Sequence, residues 1–509
     1  MNIRVFLTEN LSSPIFILST FLFLFFLIKQ TKWLFSQNII NLPPGPPKLP
    51  IIGNLHQVGD QLHVSLAKFA QEYGPLISLK LGTKILVVAS SPEAAKGILK
   101  TQDRHLSSRV VPTAMQQKSL LPHSILFSEC NESWRTLRSL CRAEMFSSNA
   151  LEAHSRLREE KIDQLLEFLH KKQGQVINAR DIVFTTLFNT LSCIVFGKDF
   201  LDLEKENETF VGVKRSILMI LEYVSRVKDF GSFFPVFQRF DLQGIRKGGM
   251  KHIQEVFDFW KDTIEERKVQ MSSSTSSSRQ SKFFLDRLLE NGFSDDRINE
   301  YVTELFVAGT NTTTTSLVWA MAEIVKNQDV MKRIEEEMKR EIGSNKIKVS
   351  QLSKLPYLQA CVKESLRLHP PVPFLLPRLA VETCEVTNYT IPKNAQIFVN
   401  VWAIGRDPIV WDDPLSFKPE RFLGSDLDFK GQDFELLPFG SGRRICPSLP
   451  LGSKSMEFII ASLVHEFDWV LPDNEDPSQL DMEERFQITL GREKPLKLIF
   501  KQKHGSTEV

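Results

Sequence analysis

What the 509-residue chain lacks narrows the field first. It has six cysteines, at positions 130, 141, 193, 361, 384 and 446, and no two of them form a Cys-x-x-Cys pair. That excludes a zinc ribbon and a dense disulfide framework, and it fits a reducing compartment. A charge imbalance is also missing: 63 Lys and Arg against 61 Asp and Glu leave a net +2. With no long basic run, nothing argues for nucleic acid as a partner. No Gly-x-Gly-x-x-Gly follows a predicted strand, so a dinucleotide site of that kind is absent too. Charge itself is missing in one place, from Asn10 to Ile28, where Phe16 to Ile28 is nearly continuous Phe, Leu and Ile. That length suits one membrane-spanning helix. No small-residue cleavage site follows, only Lys29-Gln30-Thr31-Lys32-Trp33, which disfavours a cleaved signal peptide. Lys29, Lys32 and Lys48 outweigh Arg4, so the positive-inside rule leaves the rest of the chain facing the cytosol.

The remainder, with 42% hydrophobic and 24% charged residues overall, has the balance of a chain that buries a large core. We divide it into an anchor (1–32), a proline-rich hinge (33–50), a catalytic body (51–503) and a short tail (504–509). Pro43-Pro44-Gly45-Pro46-Pro47 excludes helix and predicts a stiff, extended spacer. The pattern from Pro75 to Val88 predicts a hairpin turning at Gly82-Thr83-Lys84, and Ser91-Pro92-Glu93 then opens a helix. Residues 103–125 read as loop. The stretch from Leu151 to about Met271 is mostly helical, interrupted by the aromatic run Phe230 to Phe237 with its proline and glycine, which reads as a loop. Ser272 to Ser278 reads as an exposed flexible segment. A long helix follows over roughly Asp295 to Gln328. The fold class is therefore mainly α with small β-sheets, preceded by one N-terminal transmembrane helix.

Chemistry concentrates near the C-terminus, in Pro438-Phe439-Gly440-Ser441-Gly442-Arg443-Arg444-Ile445-Cys446-Pro447-Ser448. Glycines without Cβ let backbone approach something flat and bulky. The adjacent arginines suit a carboxylate, and their charge favours the thiolate of Cys446. A thiolate can ligate iron axially. Trp134 and Arg138, four apart on a predicted helix, share one face and make a second donor pair suited to a carboxylate. Within the long helix, Ala308-Gly309-Thr310-Asn311-Thr312-Thr313-Thr314-Thr315 is a run of poor helix formers, and local rules tend to be broken at functional sites. Glu364 and Arg367, three apart, can pair on their helix.

This set resembles the cytochrome P450 superfamily over essentially residues 30–503. Phe439, Gly442, Arg444 and Cys446 match its haem-binding loop, with Ser448 in place of the final glycine, a departure expected to be tolerated. The resemblance implies haem b with Cys446 as the iron ligand, and Trp134, Arg138, Arg378, Phe439 and Arg444 as cofactor-binding residues. It implies that Glu364, Arg367 and Arg421 (in Pro419-Glu420-Arg421-Phe422) form a buried triad. It places Thr312 at the dioxygen site, with Asn311 where the family usually has an acid; an amide cannot act as an acid at neutral pH. It also implies NADPH-cytochrome P450 reductase as electron donor, with Arg138, Arg142 and Arg443 as basic residues able to attract an acidic partner. The proline hinge resembles that of microsomal members, which implies a single-pass protein of the endoplasmic-reticulum membrane. Finer features resemble plant enzymes of terpenoid and alkaloid metabolism. The expected reaction is hydroxylation of a small hydrophobic metabolite, with rearrangement or oxidative coupling, or a non-catalytic haem protein, as alternatives. Pocket walls are expected near 103–125, 205–240, 301–308, 371–376 and 486–489, and the resemblance offers a substrate-access flap at the membrane surface as the other reading of Phe230 to Phe237. Ionisable residues there are few, so the substrate's charge does not follow.

Overall fold

The computed structural model describes residues 18–26, 41–116, 124–205, 208–226, 229–273 and 283–503. Strand β1 (Leu76–Leu81) pairs antiparallel with β2 (Lys84–Ala89), Leu76 facing Ala89 and Leu81 facing Lys84. Gly82 makes the turn at φ 60°, a region open to residues without Cβ. The hairpin grows into a five-stranded sheet. Strand β5 (Gln396–Val399) runs parallel to β2, β4 (Arg378–Leu379) pairs antiparallel with β5, and β3 (Ser108–Arg109) pairs antiparallel with β4. So the predicted loop of 103–125 carries a short strand, because Arg109 finds backbone partners opposite Arg378. Ser91 caps the next helix, its Oγ accepting from the Ala94 N–H at 3.2 Å.

The proline stretch is more than a spacer. The Ser78 hydroxyl donates to the Pro43 carbonyl at 2.6 Å and the Ser78 N–H to the Pro44 carbonyl at 2.8 Å, zipping 43–44 onto β1. The Asn54 amide donates to the carbonyls of Pro46 and Pro47 at 3.1 Å. A Cβ on Gly45 would run into the Ser78 carbonyl. Gly45→Ala is therefore expected to lower stability by about 1–3 kcal/mol, the usual cost of overpacking against backbone, read as a lower denaturant midpoint.

Helices supply the bulk. Those that position the site are α1 (Glu132–Cys141), α2 (Ala179–Phe196), α3 (Glu208–Val224), α4 (Ile245–Ser273), α5 (Asp295–Lys326), α6 (Pro356–Leu368) and α7 (Leu449–Glu466). Helix α5 is the predicted long helix, and it packs against α2, α4, α6 and α7. Leu317, Trp319 and Ile324 on it are wholly buried. Among the described residues α2 is the helix long and apolar enough to cross a membrane, yet it is apolar all round because it is buried inside the core. Residues 18–26 are helical with exposed apolar side chains, Phe21 and Phe23 among them. The rest of the expected anchor and the tail lie outside the described residues, as do residues 274–282 of the serine-rich region. The 230–237 run is not an irregular loop but two short helices, Phe230–Phe233 and Pro235–Gln238. The Asp229 carboxylate caps the first by accepting from the Ser232 N–H, and Pro235 starts the second.

Candidate active site

A cavity of about 260 Å³ separates the Cys446 loop from the middle of α5. Its walls come largely from the predicted stretches, with Leu126 and Phe127 just past the first, Glu300 and Gly309 flanking the third, and Phe146, Ile253 and Phe257 outside all of them. Cys446 lines one side, and Ala308, Gly309, Thr312 and Thr313 line another.

The cysteine is held by its loop rather than by its neighbours' charges. The Cys446 N–H donates to the Phe439 carbonyl at 3.0 Å, and Gly440 and Gly442 hold φ near 70°, which folds the chain back to make that bond. Phe439 packs edge-on against Phe429 and also lines the cavity. Burial pushes the Cys446 thiol up; the hydrogen bond from Ser448, the Ser448 N–H and the Arg138 charge pull the other way. The two arginines before it are engaged elsewhere. Arg443 turns outward to Asp103 at 3.2 Å, and Arg444 turns to the carbonyls of Ser107 and Ser128. Ser448 does more than tolerate the missing glycine, since its Oγ sits 3.3 Å from Cys446 Sγ.

Four arginines line the cavity: Arg109, Arg138, Arg378 and Arg444. Arg109 and Arg378 stand directly opposite on β3 and β4, where like charges repel. Burial lowers both, and each is lowered further by its neighbours; Arg378 is pulled down to about 10. Arg109 Nε is buried without a hydrogen-bond partner. Such a cluster awaits anions, and haem propionates fit it. Arg109 was absent from the sequence reading; an arginine opposite another in a paired strand was the signal, but the pairing itself was not predicted. Trp134 and Arg138 do share a face of α1. Trp134, however, donates its indole N–H to the Ile125 carbonyl at 3.0 Å and serves as a platform, with the guanidinium of Arg444 4.8 Å and that of Arg138 5.2 Å from its ring. Arg138 is half-buried and reaches the Ile445 carbonyl. Arg142 is exposed.

Facing the cysteine, α5 stays continuous through its threonines. Most hydroxyls bond back one turn: Thr312 donates to Ala308 at 2.6 Å, Thr313 to Gly309 at 3.0 Å and Thr314 to Thr310 at 2.8 Å, whereas Thr315 Oγ1 is buried without a partner. The backbone stays α-helical through the run. Asn311 is buried beside the cavity rather than in it. It accepts from the half-buried Arg180 guanidinium through Oδ1 and donates to Thr489 Oγ1 at 3.0 Å. Asn311→Leu strips both partners and is expected to cost about 2–4 kcal/mol in an unfolding titration, chiefly by leaving Arg180 unpaired.

Glu364, Arg367 and Arg421 do meet. Arg367 grips Glu364 with Nε and Nη2 at 2.7 and 2.8 Å, and Arg421 Nε reaches the same carboxylate at 3.0 Å; Glu364 and Arg367 are wholly buried. The sequence reading missed two carboxylates in the cavity wall, Glu300 and Glu304.

A half-buried thiol, a cluster of guanidinium groups and a threonine-bearing helix across an apolar cavity define a haem-thiolate protein. The chain belongs to the cytochrome P450 family, which it matches over residues 43–500, and it is a haem-dependent P450 monooxygenase. Among curated proteins it is 46% identical to a probable (S)-N-methylcoclaurine 3'-hydroxylase isozyme of Coptis japonica, over 97% of this chain and 99% of that one. It is 42% identical to corytuberine synthase of the same plant, over 88% and 92% of the two chains. It is 41% identical to geraniol 8-hydroxylase of Catharanthus roseus, over 95% and 98%.

Proposed function

We propose that the protein hydroxylates a hydrophobic plant alkaloid or terpenoid, with Cys446 as the iron ligand. The observation that carries this reading is one continuous cavity lined by Cys446, by Thr312 and by apolar walls such as Leu126, Leu221 and Leu375. Relatives named for N-methylcoclaurine and for geraniol support both substrate classes. Haem held there supplies dioxygen activation, with the thiolate's electron density favouring O–O cleavage. The protein's share is orientation, dryness and proton control. Arg109, Arg378 and Arg444 would hold the propionates, with Arg138 beside the cysteine loop. Thr312 already spends its hydroxyl proton on Ala308, which leaves the hydroxyl oxygen free to accept a hydrogen bond from the cavity. Asn311 supports Thr489 and pairs with Arg180 but offers no acidic proton.

Electrons come from NADPH through NADPH-cytochrome P450 reductase, and Arg142 and Arg443 remain as outward cations for it. The uncharged run at 10–28 anchors the chain in the endoplasmic-reticulum membrane, with the body on the cytosolic side. Exposed Phe230, Val236, Phe237, Phe240 and Leu242 would rest on the same bilayer as a substrate-access flap. A second reading, oxidative coupling or rearrangement, draws on Asn311 at the usual acid position and on the similarity to corytuberine synthase. Labelled dioxygen separates the two. With reductase, NADPH and a panel of alkaloids and terpenoids, a product carrying one labelled oxygen establishes hydroxylation. An unlabelled product, isomeric or two hydrogens lighter, establishes the alternative.

A further inference from the structure

Charge in the cavity is divided between its ends. The four arginines gather around the cysteine loop, and the two carboxylates lie on the N-terminal part of α5, one turn apart. Those carboxylates differ in what holds them. Glu304 is fully used: Ser124 Oγ donates to Oε1, and the N–H groups of Ile125 and Leu126 donate to Oε2 at 2.7 and 3.3 Å. It pins the 124–126 wall to α5. Glu300 has no such duty. It is 5% exposed, it lines the cavity, and its Oε2 is buried with no hydrogen-bond partner. Arg297, three residues earlier, acts on it through charge without a hydrogen bond, its own Nε being buried and unpartnered as well. Its guanidinium stacks on Phe293 and donates to Ser133 Oγ at 2.7 Å.

An unpartnered carboxyl among apolar walls costs free energy unless a ligand answers it. We infer that Glu300 is the recognition site for a substrate amine, so that the natural substrate is an elongated amine oxidised at a carbon remote from its nitrogen. This rests on the monooxygenase reading above and selects the alkaloid arm of it. The spacing supports it. Glu300 precedes Ala308 by eight residues on one face of α5, about 12 Å of helical rise, a span suited to a two-ring amine plus the reach of the carboxylate. The site is also poised. Burial, then repulsion from Glu304, pushes Glu300 up to about 9, so at neutral pH it holds a proton. A free-base amine takes that proton from Glu300 on binding, and an ammonium ion releases it to solvent. Either way the outcome is an ammonium–carboxylate pair in a dry cavity. Neutral terpenoids leave the carboxyl protonated and gain nothing from it.

The test uses the full-length haem protein and the shift of its Soret band on ligand binding. The probes are N-methyl benzyltetrahydroisoquinoline, its neutral N-acetyl counterpart, and geraniol. Glu300→Gln keeps shape and removes the charge, so it is expected to weaken the tertiary amine on the order of thirtyfold while leaving the amide within about twofold. Glu300→Asp is expected to recover part of the loss. If Glu300→Gln weakens amine and amide alike, or neither, the assignment is wrong and Glu300 is merely a buried acid. If geraniol binds and gains a labelled oxygen while the amine does not bind, the assignment is also wrong, but the monooxygenase stands. If no probe shifts the band and none gains oxygen, both fall together.

Discussion

Protein carrying Cys446→Ala is expected to fold normally and to turn over no substrate. The fold should survive because the loop is fastened by backbone, through the Cys446 N–H on the Phe439 carbonyl, which alanine retains. The side chain adds little beyond that: Sγ lies 3.3 Å from Ser448 Oγ and takes the backbone N–H groups of Ser448 and Leu449. Activity should vanish because Cys446 is the one cysteine among the cavity-lining residues and so the one source of a thiolate for iron. Turnover should drop at least about a thousandfold, equivalent to roughly 4 kcal/mol of barrier. Two measurements check it: a far-ultraviolet circular dichroism spectrum matching the parent, and a reduced carbon-monoxide spectrum without the thiolate signature. Retained turnover would mean that the iron ligand has been misassigned. Ser448→Gly offers a graded companion. Once Cys446 is a thiolate it has no proton to give, so Ser448 must be the donor. Removing that donor should make the haem harder to reduce, because hydrogen bonds to a ligating sulfur tune its potential.

How much of this could be read from residues alone depends on the range of the interaction. The hairpin at 76–89, the Ser91 cap and the long α5 follow from periodicity and turn chemistry, which act over a few residues. The Glu364–Arg367 pair is likewise a one-turn spacing, and its meeting with Arg421 followed from the family resemblance. What the residues alone did not give were cross-chain placements. Arg109 became a cavity cation only because β3 pairs with β4 and sets it opposite Arg378. Trp134 was expected to offer its N–H to the cofactor, yet the Ile125 carbonyl, nine residues earlier in the chain, takes it. Asn311 was flagged for missing chemistry, and its partner Arg180 lies 131 residues away, where no local pattern points to it. Glu300 carries no local sequence signal of its own. Only the packing of the cavity walls around α5 separated it from Glu304.

The largest stability effect should come from Arg367→Met. Glu364 and Arg367 are both wholly buried, so their desolvation is already spent and only complete pairing makes the arrangement tolerable. It is complete on the arginine side. Nε and Nη2 grip the carboxylate, Nη1 donates to the carbonyls of Gly405 and Pro414, and Nη2 also reaches the Ser416 carbonyl at 3.2 Å. Methionine fills similar volume but leaves three carbonyls unsatisfied and Glu364 with only Arg421 and the Lys418 N–H. The expected loss is about 3–5 kcal/mol, a large part of the ~5–15 kcal/mol that holds a typical domain together. Arg367→Lys should recover little, since a point charge lacks the planar fork that answers carboxylate and carbonyls together. Arg421→Lys should be milder, because its other donors reach the Asp412 and Asp413 carbonyls near the surface. A double-mutant cycle with Glu364→Gln separates the two contributions: strong coupling places the energy in the pair itself. A loss below about 1 kcal/mol for Arg367→Met would instead mean that the carbonyls, not the ion pair, hold α6 to the segment from Gly405 to Phe422.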